Sequence, residues 1–185
     1  MKNAVRCKTR KSPRIVRRNL MFTVPEIIRG LVNKEVELTV RAIPSGEFGG
    51  EHPPFGPVGH KGVVREDIKR VGSQAENEQG SYTIEYRDGA TRTIIGPLPE
   101  VLKKNGWTWA RYMPTECGRI VYRIMENKQG YLSDLTPEMV DKAVPGITLA
   151  GYMELWDKLN AERGYPAKNN PKVWMIWFGV VQVKT

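Results

Sequence analysis

Apolar positions along this chain switch between two periods, and the switches mark out its elements. Ile27, Ile28, Leu31 and Val32 recur at helical spacing. Thr23 stands as N-cap ahead of Pro25 and Glu26, both favourable in a first turn, so a helix is predicted from 23 to about 33. From Glu35 to Ile43 the period falls to two. Val36, Leu38, Val40 and Ala42 share one face, and Glu35, Glu37, Thr39 and Arg41 share the other, as in a half-buried strand. Residues 44–61 carry Pro44, Gly46, Gly49, Gly50, Pro53, Pro54, Gly56, Pro57 and Gly59, which makes a long irregular loop. A short strand follows over 62–66, and residues 72–80 read as polar and turn-like.

The second half is patterned more strongly. Tyr82–Tyr86 and Thr91–Ile95 flank Asp88-Gly89, a hairpin signal. Residues 97–105 form a short helix stopped by Gly106, and 119–125 form a strand. Thr136-Pro137-Glu138 opens a short helix that ends before Pro145-Gly146. Thr148 opens the clearest helix, to about Arg163, with Leu149, Tyr152, Met153, Trp156 and Leu159 as its buried stripe. Residues 172–183 are apolar on both faces and therefore predict a central strand. This order of elements gives an α+β fold: a small mixed sheet or barrel with a few helices.

Charge changes the picture at one end only. The chain of 185 residues has 29 Lys plus Arg and 20 Asp plus Glu, for a net charge of +9. Residues 1–18 hold Lys2, Arg6, Lys8, Arg10, Lys11, Arg14, Arg17 and Arg18 and no acid, so the body from 19 to 185 is near neutral. A leader of this composition is expected to be mobile when free. Beside phosphates it releases counterions and binds without regard to sequence. A solubility tail and an arm for an acidic protein face are the other readings. A membrane contact lacks an amphipathic stripe, and no apolar run is long enough to span a bilayer. No secretory leader is recognisable, and Cys7 and Cys117 fit free thiols in a reducing cytoplasm.

Catalytic and cofactor motifs are scarce in the chain. His52 and His60, with two distant cysteines, make no metal spacing, so no metal and no cofactor are expected. No P-loop, dinucleotide fingerprint or nucleophile elbow occurs. Cys117 lacks a neighbouring base and reads as an inert thiol.

Three segments in order resemble the ASCH domain, a branch of the PUA-like superfamily, in its bacteriophage and prophage form. Tyr152-Met153-Glu154-Leu155-Trp156-Asp157-Lys158-Leu159-Asn160 and then Asn170-Pro171-Lys172-Val173-Trp174-Met175-Ile176-Trp177-Phe178 are similar to that family's Leu-Trp-Asp-x-Ile-Asn helix and Asn-Pro-x-Val-Trp-Val strand. Val58 to Glu66 is similar to Pro-Gly-Asp-x-Leu-Trp-Val-Arg-Glu, and Met21 to Ile43 to a helix followed by Gly-x-Lys-Thr-x-Thr-x-Arg. The resemblance spans about residues 20–183. It implies a PUA-like β-barrel with flanking helices, often RNA-binding, and a phage protein working in the cytoplasm of an infected bacterium.

One branch of that family is an amidohydrolase acting on N4-acetylcytidine through a lysine, a threonine and a glutamate. Aligning Thr39 and Arg41 with the motif puts Val36 at the lysine position. Lys34 lies two residues earlier, about 6–7 Å along a strand. The glutamate falls near Ala143 or Val144, where no carboxylate stands, and Asp141 serves only with a changed helix register. Lys34 and Thr39 are thus weak catalytic candidates, and retained hydrolysis is not the expected activity.

The same resemblance implies that Thr39 and Arg41 face a cleft for a base, with Arg41 pairing a phosphate or a guanine edge. Arg65 adds a phosphate contact. Trp107 and Trp109 either stack on unpaired bases or fill the barrel end, the second being slightly favoured. Trp156, Trp174 and Trp177 belong to the core. The reading is a non-catalytic nucleic-acid-binding protein, with RNA favoured over duplex DNA because no recognition helix is evident. The arm (Arg6, Lys8, Arg10, Lys11, Arg14, Arg17, Arg18) supplies affinity, and the cleft supplies selectivity. The alternatives are the amidohydrolase and a phage effector that binds a host protein with an acidic surface, such as RNA polymerase or a nuclease.

Overall fold

The computed structural model describes residues 20, 25–43, 53–74 and 80–184. The arm residues Arg6 to Arg18, Cys7, the Thr23 cap, His52 and most of the glycine-rich loop lie outside the described residues. Helix α1 spans Pro25–Val32. Eight strands follow among the described residues: β1 Leu38–Ala42, β2 Lys61–Val63, β3 Ile68–Gln74, β4 Ser81–Tyr86, β5 Thr91–Ile95, β6 Trp107–Thr108, β7 Ile120–Tyr131 and β8 Lys172–Val183. Helices α2 (Pro137–Ala143) and α3 (Leu149–Asn160) lie between β7 and β8. The α+β class is as expected, with two corrections. The strands form two four-stranded sheets, β1-β8-β7-β2 and β5-β4-β3-β6, and not a closed barrel. Every pairing among the described strands is antiparallel, so the sheets are not mixed.

β8 is central in the first sheet, as its two apolar faces require. Trp174, Ile176 and Phe178 pack with Leu20, Ile28, Leu31 and Val36 on one side. Val173 and Met175 pack on the other with Val140 of α2 and Tyr152 and Trp156 of α3. Each fully buried aliphatic side chain contributes about 1.5–3 kcal/mol, so this double-sided strand anchors the fold. Thr136 and Thr148 cap α2 and α3, each accepting a backbone N–H three residues on. Tyr152 and Trp156 are buried as predicted, but Leu159 is 53% exposed.

The second sheet closes over Ile68, Tyr82, Ile84, Tyr86, Leu102 and Met113. Its Asp88-Gly89 hairpin forms as predicted, with Gly89 at φ 86 and the Ala90 N–H donating to Asp88. The expected helix over 97–105 shrinks to one 3-10 turn, Glu100–Leu102. β3 runs into the stretch read as turn-like, because a bulge between Arg70 and Gly72 breaks its alternation. The chain crosses between the sheets at 64–67 and again at 113–119. There Arg119 donates to both oxygens of Glu66 and, at 2.6 Å, to Asp88, over the ring of Tyr86. This buried ionic group ties the two sheets together.

Candidate nucleic-acid interface

Beside that crossing the second sheet ends in an aromatic and basic surface. The short strand β6 pairs Trp107 with Lys69 of β3 and leaves the indole half-buried. The Arg87 guanidinium lies 4.0 Å from its ring centre, and Lys69 Nζ lies 5.8 Å away. Such cation–ring contacts gain most where water is partly excluded. Immediately after β6 the chain turns through a single 3-10 turn, Ala110–Tyr112. Trp109, at its N-cap, is 61% exposed, and Tyr112 is 59% exposed. Trp109, in extended conformation, leads into the turn, and Tyr112 closes it. Arg111 stands 5.7 Å from the Tyr112 ring.

The turn is held from beneath. No side chain at its N-cap satisfies the first N–H groups. Instead the Ala110 N–H donates to Asp67 Oδ1 at 2.7 Å, and Arg65 donates to the Arg111 carbonyl at 2.9 Å. The Glu66 N–H donates to Met113 Sδ at 3.4 Å. Two exposed rings are therefore displayed on an ordered base. The expectation that Trp107 and Trp109 fill an interior fails for Trp109, because the 3-10 turn carries it out to solvent. Arg65 acts first as a strut, since one of its donors is used on the backbone.

Thr39 and Arg41 lie elsewhere, on β1 at the edge of the first sheet. Thr39 pairs with Ile176 and is 6% exposed; Arg41 pairs with Trp174. The Arg41 guanidinium stands 5.7 Å from the Phe55 ring. Burial holds its pKa below the ordinary arginine value, with the Tyr152 phenol opposing this and Arg163 adding to it. Tyr152 is itself pushed up to about 12 by burial, against the pull of Arg41. On the same face, Trp174 Nε1 and Asn127 Oδ1 are buried with no hydrogen-bond partner among the described residues, while Asn127 Nδ2 donates to the Gly56 carbonyl at 3.1 Å. A donor, an acceptor and a guanidinium thus share one buried sheet face across three strands. Sequence reasoning missed Asn127 because it ended this strand at Met125. A bulge between Ile124 and Glu126 breaks the alternation there.

The hydrolase candidates are not brought together. Lys34 is exposed in a left-handed turn, φ 63, ahead of β1 and not on a strand. On α2, Ala143 is buried and Asp141 accepts the Gly146 N–H, closing the helix end. An open cleft of about 650 Å³ is lined by Glu35, Glu37, Glu138, Asp141 and Lys142. Its acidic balance suits no polyanion. Among the described residues no cluster of His, Cys, Asp and Glu is placed to hold a metal. Burial pushes the Cys117 thiol up to about 11, away from the thiolate that nucleophilic or metal chemistry needs.

No family model matches the chain, and no curated protein matches it. Among solved structures it is similar to protein EF3133 from Enterococcus faecalis V583, of family DUF984. That likeness covers 92% of this chain and 84% of the other at 8% identity, with a TM-score of 0.49, and carries no argument about what this chain does.

Proposed function

We propose that the protein binds single-stranded nucleic acid, RNA in preference to duplex DNA, and performs no chemistry on it. One observation carries the reading: Trp109 and Tyr112 stand exposed on a braced turn, with Arg111 beside Tyr112 and with Arg87 and Lys69 over the nearby Trp107. Exposed rings beside cations are how proteins hold unpaired bases, each stack being worth about 1–3 kcal/mol. The arm of eight cations adds salt-dependent affinity.

On this reading the two sheets are an opened version of the PUA-like barrel that the ASCH resemblance implies, in a phage protein acting in the cytoplasm of its host. The amidohydrolase reading is weakened by Lys34, which the turn carries out to solvent. The test is direct. Protein purified without nuclease should carry RNA, seen as a raised 260/280 absorbance ratio that ribonuclease removes. In anisotropy titrations it should bind single-stranded RNA more tightly than duplex DNA of equal length. A stoichiometric host protein that survives nuclease treatment, with no RNA affinity, would replace this reading with the effector one.

A further inference from the structure

Asp67 is 3% exposed, and a buried carboxylate is costly unless its oxygens are fully used. Both are used, and each serves a different part of the aromatic surface. Oδ1 accepts the Ala110 N–H at 2.7 Å, at the start of the turn that displays Trp109 and Tyr112. Oδ2 lies 3.5 Å from Arg87 Nε, and Arg87 lies over the Trp107 ring at 4.0 Å. We infer that Asp67 is the positioning residue that joins the Trp107–Arg87 stack and the Trp109–Tyr112 turn into one platform, whose ligand is a single strand presenting at least two adjacent unstacked bases. The inference rests on the proposed function and deepens it.

The chemistry follows from the two halves. The outer face of the Arg87 plane accepts a base by stacking, as guanidinium planes do in RNA sites. The exposed rings of Trp109 and Tyr112 accept the neighbouring base. A mononucleotide reaches only one half, and a duplex keeps its bases stacked on each other. Fixing both halves through one carboxylate removes the ordering cost that separate, loose side chains would add on binding.

The test uses the full chain at about 0.3 M salt, where attraction from the arm is largely screened. The ligands are uridine monophosphate and an eight-residue oligouridylate. Asp67→Asn keeps the shape and an acceptor for the Ala110 N–H but removes the charge that holds Arg87. It should weaken the oligomer about tenfold, leave the mononucleotide unchanged, and add nothing in a Trp109→Ala background. Equal weakening of both ligands, or a full Asp67→Asn effect persisting without Trp109, would overturn the positioning role. If Asp67→Asn fails to fold, Arg87→Met leaves the Ala110 bond in place and should weaken the oligomer less in a Trp109→Ala background than in the full chain, as coupled halves require; equal weakening in both backgrounds would show the halves to be independent. That result would overturn the inference equally. If Trp109→Ala alone leaves oligomer binding intact, the proposed function fails, and the inference falls with it.

Discussion

Arg119 is the residue whose partners bind the molecule together. Its guanidinium holds Glu66 and Asp88 while lying 4.1 Å from the centre of the Tyr86 ring. One cation facing two carboxylates leaves the group one negative charge in surplus. Burial raises the Glu66 carboxyl above its ordinary range, with the bond from Arg119 opposing this and Asp88 adding to it. Burial lowers Arg119, but its bonds to the two acids outweigh that, and it stays charged. Both shifts have one sign because the surplus charge is acidic and favours a proton on each group beside it. Arg119→Met should strand two buried carboxylates and lower unfolding free energy by about 3–5 kcal/mol in urea titrations. A change under about 1 kcal/mol would mean that solvent reaches the group.

The sign of the pH effect follows from the raised carboxyl. A raised folded pKa contributes stability that is full below the unfolded value and is lost as pH rises through the folded one. Glu66→Gln removes that loss. As pH rises above about 4.5 the stability difference should therefore move in favour of the variant. Movement toward the wild-type chain would show that Arg119 outweighs burial.

At the scale of elements, helix caps and close packing carry separate predictions. Thr148 accepts the Gly151 N–H at the start of α3, so Thr148→Ala should lower stability by about 1 kcal/mol, read from the denaturation midpoint. A Cβ at Gly118 would overlap the Val63 side chain where the chain re-enters the first sheet. Gly118→Ala should cost about 1–3 kcal/mol by overpacking, and a neutral result would mean that Val63 moves aside freely. The elements legible in the sequence share a physical cause. β8 is an apolar run on both faces, α3 and the β4–β5 hairpin have clear periodicity with a cap or turn residues, and local signals agree with packing in all three. β3 and β6 were not legible, since one is bulged and polar and the other is two residues long and defined only by its partner. Of the site, Arg65, Trp107 and Trp109 were legible as aromatic and basic residues near loops. Asp67, Arg87 and Tyr112 were not. Asp67 acts through Ala110, 43 residues on, and Arg87 through Trp107 on another strand. Tyr112 depends on a turn that no side-chain cap announces.

Across the whole molecule, charge is segregated. The leader holds eight cations in residues 1–18, the aromatic surface holds further arginines, and the cleft beside α2 is acidic. Such separation orients a polyanion toward one part of the protein and away from another. Deleting residues 1–18 should weaken RNA binding and flatten its dependence on salt, by about 0.7 in logarithmic slope for each phosphate no longer neutralised. An unchanged slope would place the phosphate-binding cations on the body. The central claim is that the braced aromatic turn holds unpaired bases. The most direct measurement is a titration of the full chain and of Trp109→Ala with the same single-stranded RNA at one salt concentration. The account predicts saturable binding that the substitution weakens by about 1–3 kcal/mol while the fold, followed by circular dichroism, is unchanged. Equal affinity of the two proteins would contradict it.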